Sequence, residues 1–216
     1  MRPFLSACAA TLLLLIPALP AGAQSPDDAD SGWGPDHYGL KAGLTSATVS
    51  TNMFSDGIER REGVAGMAFA EWTGAPYFSL LTEVGYTQRG YTKPTETRSR
   101  EGKPLGIDEQ PKRFDYLTVA ALARLRYPGA AAEPYVLAGP RGDTFLGGAP
   151  DNLLIELYDT FAFGATVGVG VELGAEVLPM PAFLEVRYNA DVTNSLSSGP
   201  RDMRNRAVDI LLGIEL

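Results

Sequence analysis

The sequence predicts an all-β protein, an eight-stranded antiparallel up-and-down transmembrane β-barrel with short periplasmic turns and long external loops. Three observations predict it. The first is Thr160–Leu173 (TFAFGATVGVGVEL), which alternates strictly. Phe161, Phe163, Ala165, Val167, Val169, Val171 and Leu173 share one face, and Ala162, Gly164, Thr166, Gly168, Gly170 and Glu172 the other. Period two means a strand with one apolar and one small or polar face. Strands in soluble domains average about 5–6 residues, whereas a bilayer-crossing strand needs about 9–11. The second observation is that seven further stretches carry the same pattern. The third is that the connections alternate long and short in chain order, so every long one falls at the same end of an up-and-down sheet.

Residues 1–23 read as a signal peptide. Arg2 supplies the positive start, Cys8–Leu19 the apolar run, and Ala21-Gly22-Ala23 a small-residue cleavage site before Gln24. The apolar run follows Cys8, which argues against a lipoprotein cleavage box at Leu5–Cys8. Residues 24–36 (QSPDDADSGWGPD) form a flexible acidic lead-in, and Trp33 belongs to that tail. Residues 37–216 are expected to form the barrel domain.

The first strand is Tyr38–Val49, with Leu40, Ala42 and Leu44 opposite Gly39, Lys41 and Gly43. A polar loop, Ser50–Glu62, leads to the second, Gly63–Trp72, whose two faces are both apolar or small. The tight turn Thr73–Pro76 precedes the third, Tyr77–Tyr91. The longest loop is Thr92–Lys112 (TKPTETRSREGKPLGIDEQPK), charged, rich in proline and without apolar periodicity. The fourth strand is Phe114–Tyr127 and the fifth Pro134–Leu146, in which Pro140 signals a bulge. The sixth is the stretch above. Ala182–Val192 and Arg206–Leu216 are the seventh and eighth, separated by the polar loop Thr193–Asn205.

Which face points inward follows from the charges. The polar face carries Lys41, Glu71, Glu83, Arg89, Arg124, Arg126, Arg141, Asp143, Glu172, Glu185, Arg187, Asp191, Asp209 and Glu215. Both signs are mixed, as an interior of paired charges requires. Gly39, Gly43, Gly85, Gly164, Gly168, Gly170 and Gly213 share that face and make room for long side chains. Aromatic residues gather near the strand ends: Trp72, Phe78, Tyr127 and Tyr135 at the turns, Tyr86, Phe161 and Tyr188 toward the loops. Two interfacial girdles are thus expected. An eight-stranded barrel is just wide enough for side chains to fill, so the charges are expected to form a plug. The alternative with apolar residues inside is a soluble, lipocalin-like ligand-binding barrel in the periplasm.

Composition narrows the function. The 216-residue chain has a net charge of −8, one histidine and one cysteine. Cleavage before Gln24 would remove Arg2 and that cysteine, Cys8, so no disulfide framework is available to an exported domain. The acidic balance argues against a nucleic-acid partner. No later run of about 18 apolar residues occurs, so a membrane role requires a barrel.

The strand texts carry a resemblance. GLKAGL (Gly39–Leu44), GMAFAEW (Gly66–Trp72), FSLLTEVGYTQRGY (Phe78–Tyr91), DYLTVAALARLRY (Asp115–Tyr127), PYVLAGPR (Pro134–Arg141), GVGVEL (Gly168–Leu173), LEVRYNADVTN (Leu184–Asn194) and NRAVDILLGIEL (Asn205–Leu216) resemble, in order, the eight strands of the PorT-like outer-membrane β-barrel family. Thr118 and Ala120 stand where that family usually has Glu and Pro, and the last strand ends on Leu216 in place of an aromatic residue. The resemblance implies an outer-membrane barrel, lipid contact and assembly by the barrel assembly machinery. It implies little about activity, although one branch of the family is associated with a secretion system.

No catalytic, cofactor-binding or metal-binding set is expected, and no cofactor is implied. His37 stands at the turn end, the wrong end for hydrolysis of outer-leaflet lipid by a His and a Ser. Gly168-Val169-Gly170 lies within a strand and lacks the dinucleotide-binding context. Glu83 and Asp191 are read as members of interior ion pairs, not as a catalytic dyad. The expected protein is therefore non-enzymatic, with an envelope structural, loop-mediated binding or secretion-accessory role. The loops are its candidate surface for an unidentified protein partner, Met53, Phe54 and Ile58 among them. A small channel is the alternative.

Overall fold

The structure is a computed structural model that describes residues 34–51, 58–98, 104–127, 132–148, 160–174, 179–193 and 203–216. The expected signal segment, Trp33, Met53 and Phe54 lie outside the described residues. Eight strands follow in chain order: β1 (His37–Thr51), β2 (Glu59–Ala75), β3 (Phe78–Arg98), β4 (Pro104–Arg126), β5 (Ala132–Gly147), β6 (Phe161–Leu173), β7 (Ala182–Asp191) and β8 (Met203–Glu215). Each pairs antiparallel with its chain neighbour, and β1 pairs with β8 from Gly39↔Glu215 to Thr51↔Met203. The sheet therefore closes and leaves no edge in the wall. Among the described residues no helix is long and apolar enough to cross a membrane, which leaves crossing by strands open.

One boundary differs from expectation. Thr92–Lys112 is largely not loop. The ladder between β3 and β4 continues from Thr92↔Pro111 to Arg98↔Pro104, while β2 stops pairing at Thr92 and β5 at Asp115. Among the described residues the two strands thus run on as a ribbon held only by each other. Six further pairs beyond Thr92 at about 3.3 Å each make it about 20 Å long. The sequence reads as loop there because its charges and prolines hide the alternation. Those same residues suit a ribbon with two open edges, where charge and proline discourage pairing with other chains.

Pro140 lies within β5, but the bulge expected there is absent: the β4–β5 register is the same on both sides of it, and the one shift in that ladder falls between Asp115 and Tyr116. The β4–β5 ladder skips from Ala120↔Arg141 to Ala123↔Ala138, since proline has no N–H to donate. β6 pairs through the same point, Pro140↔Ala165, so closure is kept.

The burial pattern decides the faces. Among the described residues 26 large apolar side chains are exposed, while 20 polar or charged residues are buried. Leu212 is 66% exposed and its neighbour Leu211 is 0% exposed. Monomeric soluble proteins rarely expose contiguous apolar patches beyond a few hundred Å², and this wall is apolar on all eight strands. The outer face is built for lipid and the inner face for side chains, the arrangement opposite to a lipocalin.

Candidate functional site

The lumen is filled in layers. At the turn end, Arg124 Nη2 lies 3.0 Å from Glu71 Oε1 and 3.0 Å from Glu172 Oε2. Arg126 closes on the same Glu71 carboxylate from β4. The Arg124 guanidinium also stands 4.9 Å above the Tyr135 ring. Glu215 completes this layer beside His37, whose Nδ1 is 3.5 Å away across the β1–β8 seam.

The middle layer centres on Glu83. Lys41 Nζ donates to its Oε1 at 2.6 Å. Arg187 donates through Nη1 and Nη2 to its two oxygens at 2.5 and 2.6 Å, a bidentate pair. Glu185 accepts from Lys41 Nζ at 3.3 Å and from the Tyr135 hydroxyl at 3.0 Å, and it pairs with Arg187 Nε. Phe69 and Phe183 hold Lys41 between them, 5.0 and 5.1 Å from its ammonium.

The loop-side layer is built on Asp143. It accepts from Arg89 at 2.7 and 3.2 Å, from Arg141 Nε at 2.8 Å and from Thr118 Oγ1 at 2.6 Å. Arg141 Nη2 also donates to Asp191 at 2.5 Å, and Asn205 Nδ2 donates to the other Asp191 oxygen at 2.9 Å. Asp209 accepts from Thr45 Oγ1 at 2.5 Å and from Asn189 Nδ2 at 2.6 Å. The donors come from strands on all sides of the barrel, so the contacts cross the lumen and tie opposite walls together.

All fourteen charged residues named from the sequence lie on the inner face. Arg126 is half-buried and the other thirteen are buried. Of the girdle, Phe78, Tyr127 and Tyr188 are exposed and Trp72, Tyr86 and Phe161 half-exposed. Tyr135 is a correction: it is 3% exposed and points inward. Its partner Gly170 explains why, because a Cβ there would stand 2.3 Å from the ring, so only glycine lets the tyrosine lie across the wall. Gly213 does the same for Phe183, at 2.1 Å. These glycines make room for rings as well as for Arg and Glu side chains.

The sequence reading missed the apolar part of the interior. Phe69, Leu81, Leu122, Tyr135, Leu137 and Phe183 pack together around the charges. Val49, Tyr91, Phe114, Tyr116 and Met203 form a second cluster at the loop-side mouth, with Ile58 and Phe145 against it. Phe114 stands between Tyr91 and Phe145, with ring centroids 6.1 and 6.2 Å apart. The signal was present: Phe69 precedes Glu71 by two, Leu81 precedes Glu83, Leu122 precedes Arg124 and Leu211 follows Asp209. Each is in phase with a charge, so each faces inward with it.

Among the described residues no group of three His, Cys, Asp or Glu side chains is placed to hold a metal ion. A second cluster faces outward near the loop end. Arg113 Nε donates to Asp115 at 2.8 Å, and the Tyr86 hydroxyl donates to the same carboxylate at 2.8 Å.

Known barrels compare as follows. The attachment invasion locus protein Ail of Yersinia pestis is 13% identical with a TM-score of 0.42, covering 83% of this chain and 98% of that one. Neisserial surface protein A is 16% identical at 0.46, covering 83% and 97%. OprG of Pseudomonas aeruginosa is 10% identical at 0.47, covering 86% and 98%. No curated protein sequence matches. The outer membrane protein beta-barrel domain family matches over residues 23–197, most of the chain, and the protein belongs to that family.

Proposed function

We propose that the protein is a non-conducting, non-enzymatic barrel of the outer membrane that acts through its external loops. It serves the envelope as a structural element or as a loop-mediated binding or secretion-accessory protein. The observation that carries this reading is the filled lumen: three layers of cross-wall ion pairs, with an aromatic cluster over them at the loop-side mouth. Such packing leaves the interior to side chains, as expected for eight strands. The strand-by-strand resemblance supports the PorT-like branch as the finer assignment, and Arg2 to Ala23 supports export with a cleaved signal. Among the described residues the ribbon of β3 and β4 extends furthest past the barrel wall at the loop end with both edges open, which suits recognition by an extended partner strand. Position argues against hydrolysis of outer-leaflet lipid. The chain's one histidine, His37, sits beside Glu215 at the turn end, far along β1 from the loops.

The test combines cell fractionation with planar-bilayer recording. The protein is expected in the outer-membrane fraction, to migrate faster unboiled than boiled, and to give no unitary conductance. Stable channel openings would refute the filled-lumen reading.

A further inference from the structure

Gly66 stands on the outer wall where the wall itself does not require glycine. It alternates with the buried Ala65 and Met67 and so faces lipid. At Gly43, Gly170 and Gly213 a Cβ would strike a ring or a carbonyl, whereas at Gly66 it would meet nothing nearer than the Lys41 carbonyl oxygen at 3.9 Å. Glycine weakens a strand interior, and there it marks close approach by a ligand or another backbone. The next outward residues of β2 toward the turn end are Ala68 and Ala70, so small residues follow one another along the strand. The register flanks Gly66, Ala68 and Ala70 with Tyr86, Val84 and Thr82 of β3 on one side, and with Ala42, Leu40 and Tyr38 of β1 on the other. A trough thus runs along β2, two strand spacings or about 10 Å wide. From Gly66 to Ala70 it covers four rises of about 3.3 Å, about 13 Å in all. At its loop end the exposed pair Leu44 and Val64 closes it. At its turn end it reaches Trp72, in the girdle where headgroups lie. The groove to which it belongs extends past Leu212 to β7 and β6 and holds about 930 Å³, the size of a small-molecule site.

We propose that this groove binds one acyl chain of a phospholipid in the turn-side leaflet. This adds a defined lipid site to the general lipid contact of the wall, and it rests on the reading that the wall lies in a bilayer. The occupant follows from depth and size. Hydrocarbon surrounds the wall at this depth, and the trough is close in length to half of a core about 30 Å thick, the depth of one leaflet. A chain that enters from the girdle at Trp72 runs along Ala70 and Ala68 and ends at Val64. Lying there it touches side chains of three strands at once and gains dispersion contacts with each. A second barrel would press on the whole wall, and the exposed Leu44 and Val64 stand in its way.

The test is a native mass-spectrometric titration of the full barrel in neutral detergent with palmitoyl-oleoyl phosphatidylethanolamine. G66L/A68L fills the trough, and A121L/A123L adds similar bulk at two exposed outward positions of β4 as the control. Losing on the order of ten close heavy-atom contacts should weaken binding about tenfold. Wild type and A121L/A123L are expected to hold the phospholipid alike, and G66L/A68L to hold it about tenfold more weakly. Unchanged unboiled gel mobility shows that the variants are folded; G66V, a smaller filling by a residue that suits strands, must lose part of the affinity. Affinity within about twofold of wild type for both G66L/A68L and G66V overturns the proposal. A wild-type dimer that G66L/A68L dissolves overturns it as well and gives the groove to a second copy. Tighter binding of lipid A than of phosphatidylethanolamine, lost in G66L/A68L, overturns the turn-side source. A wild-type protein found outside the outer-membrane fraction fails the underlying reading, a result seen before any titration.

Discussion

Glu83 is the residue on which the middle of the plug depends, and Glu83→Gln is the perturbation that isolates its charge. The carboxylate receives Lys41 at 2.6 Å and both terminal nitrogens of Arg187 at 2.5 and 2.6 Å, and all three side chains are at most 3% exposed. Glutamine keeps the volume but removes the charge, so two cations remain where one anion had faced both. Removing one partner of a buried pair costs about 3–5 kcal/mol, because the charge left behind stays desolvated. Glu185 still faces Lys41 and Arg187, which sets the expectation at the lower end, about 3 kcal/mol. The assay is reversible urea unfolding in lipid vesicles, followed by Trp72 fluorescence with Trp33 replaced by Phe. A double-mutant cycle with Arg187→Met should return a coupling of about 2 kcal/mol or more. Replacing Lys41, Glu83, Glu185 and Arg187 together by Met removes the desolvation cost along with the attraction. That variant is expected within about 2 kcal/mol of wild type, on either side. A Glu83→Gln variant within about 1 kcal/mol of wild type, with no coupling to Arg187, would refute the reasoning and imply a hydrated lumen.

Three further outcomes follow from the same geometry. Leu212→Arg places a charge midway along the lipid-facing band of β8 and should cost about 2–4 kcal/mol in the same unfolding assay. Gly213→Val puts a Cβ 2.1 Å from the Phe183 ring, and Gly43→Ala puts one 1.9 Å from the Ile210 carbonyl oxygen. The ring can shift and the backbone cannot, so Gly43→Ala should lower the temperature of the gel-mobility transition despite adding only one methyl. Tyr135→Phe removes one of the donors to Glu185 and should cost about 1–2 kcal/mol without moving the barrel to another fraction.

Strand number, order, closure and the facing of the charged residues were legible because period-two alternation survives in every wall strand. Thr160–Leu173 shows why: a side chain on a strand has only two directions, and a charge identifies one of them. Two things were not legible. The β3–β4 ribbon leaves the membrane, where lipid no longer imposes alternation, so Thr92–Lys112 read as loop while the backbone kept pairing. The apolar interior was hidden for a different reason. Tyr135 near a turn looks like a girdle residue, and only the three-dimensional neighbour, Gly170, shows that the ring crosses inward. Phase relative to a neighbouring charge places Phe69 with Glu71, Leu81 with Glu83 and Leu122 with Arg124. It also places Tyr135, six residues before Arg141 and therefore on the same face.

The account rests on the inside-out arrangement of the wall, and Leu211 and Leu212 test it with adjacent residues of one strand. Each is replaced singly by a spin-labelled cysteine in a chain whose one native cysteine, Cys8, is changed to serine, and relaxation by oxygen dissolved in the bilayer is measured. Residue 212 should show the strong oxygen collision of a lipid-exposed site, and residue 211 almost none, matching their 66% and 0% exposures. Strong collision at 211 with protection at 212 would reverse the faces and contradict the account.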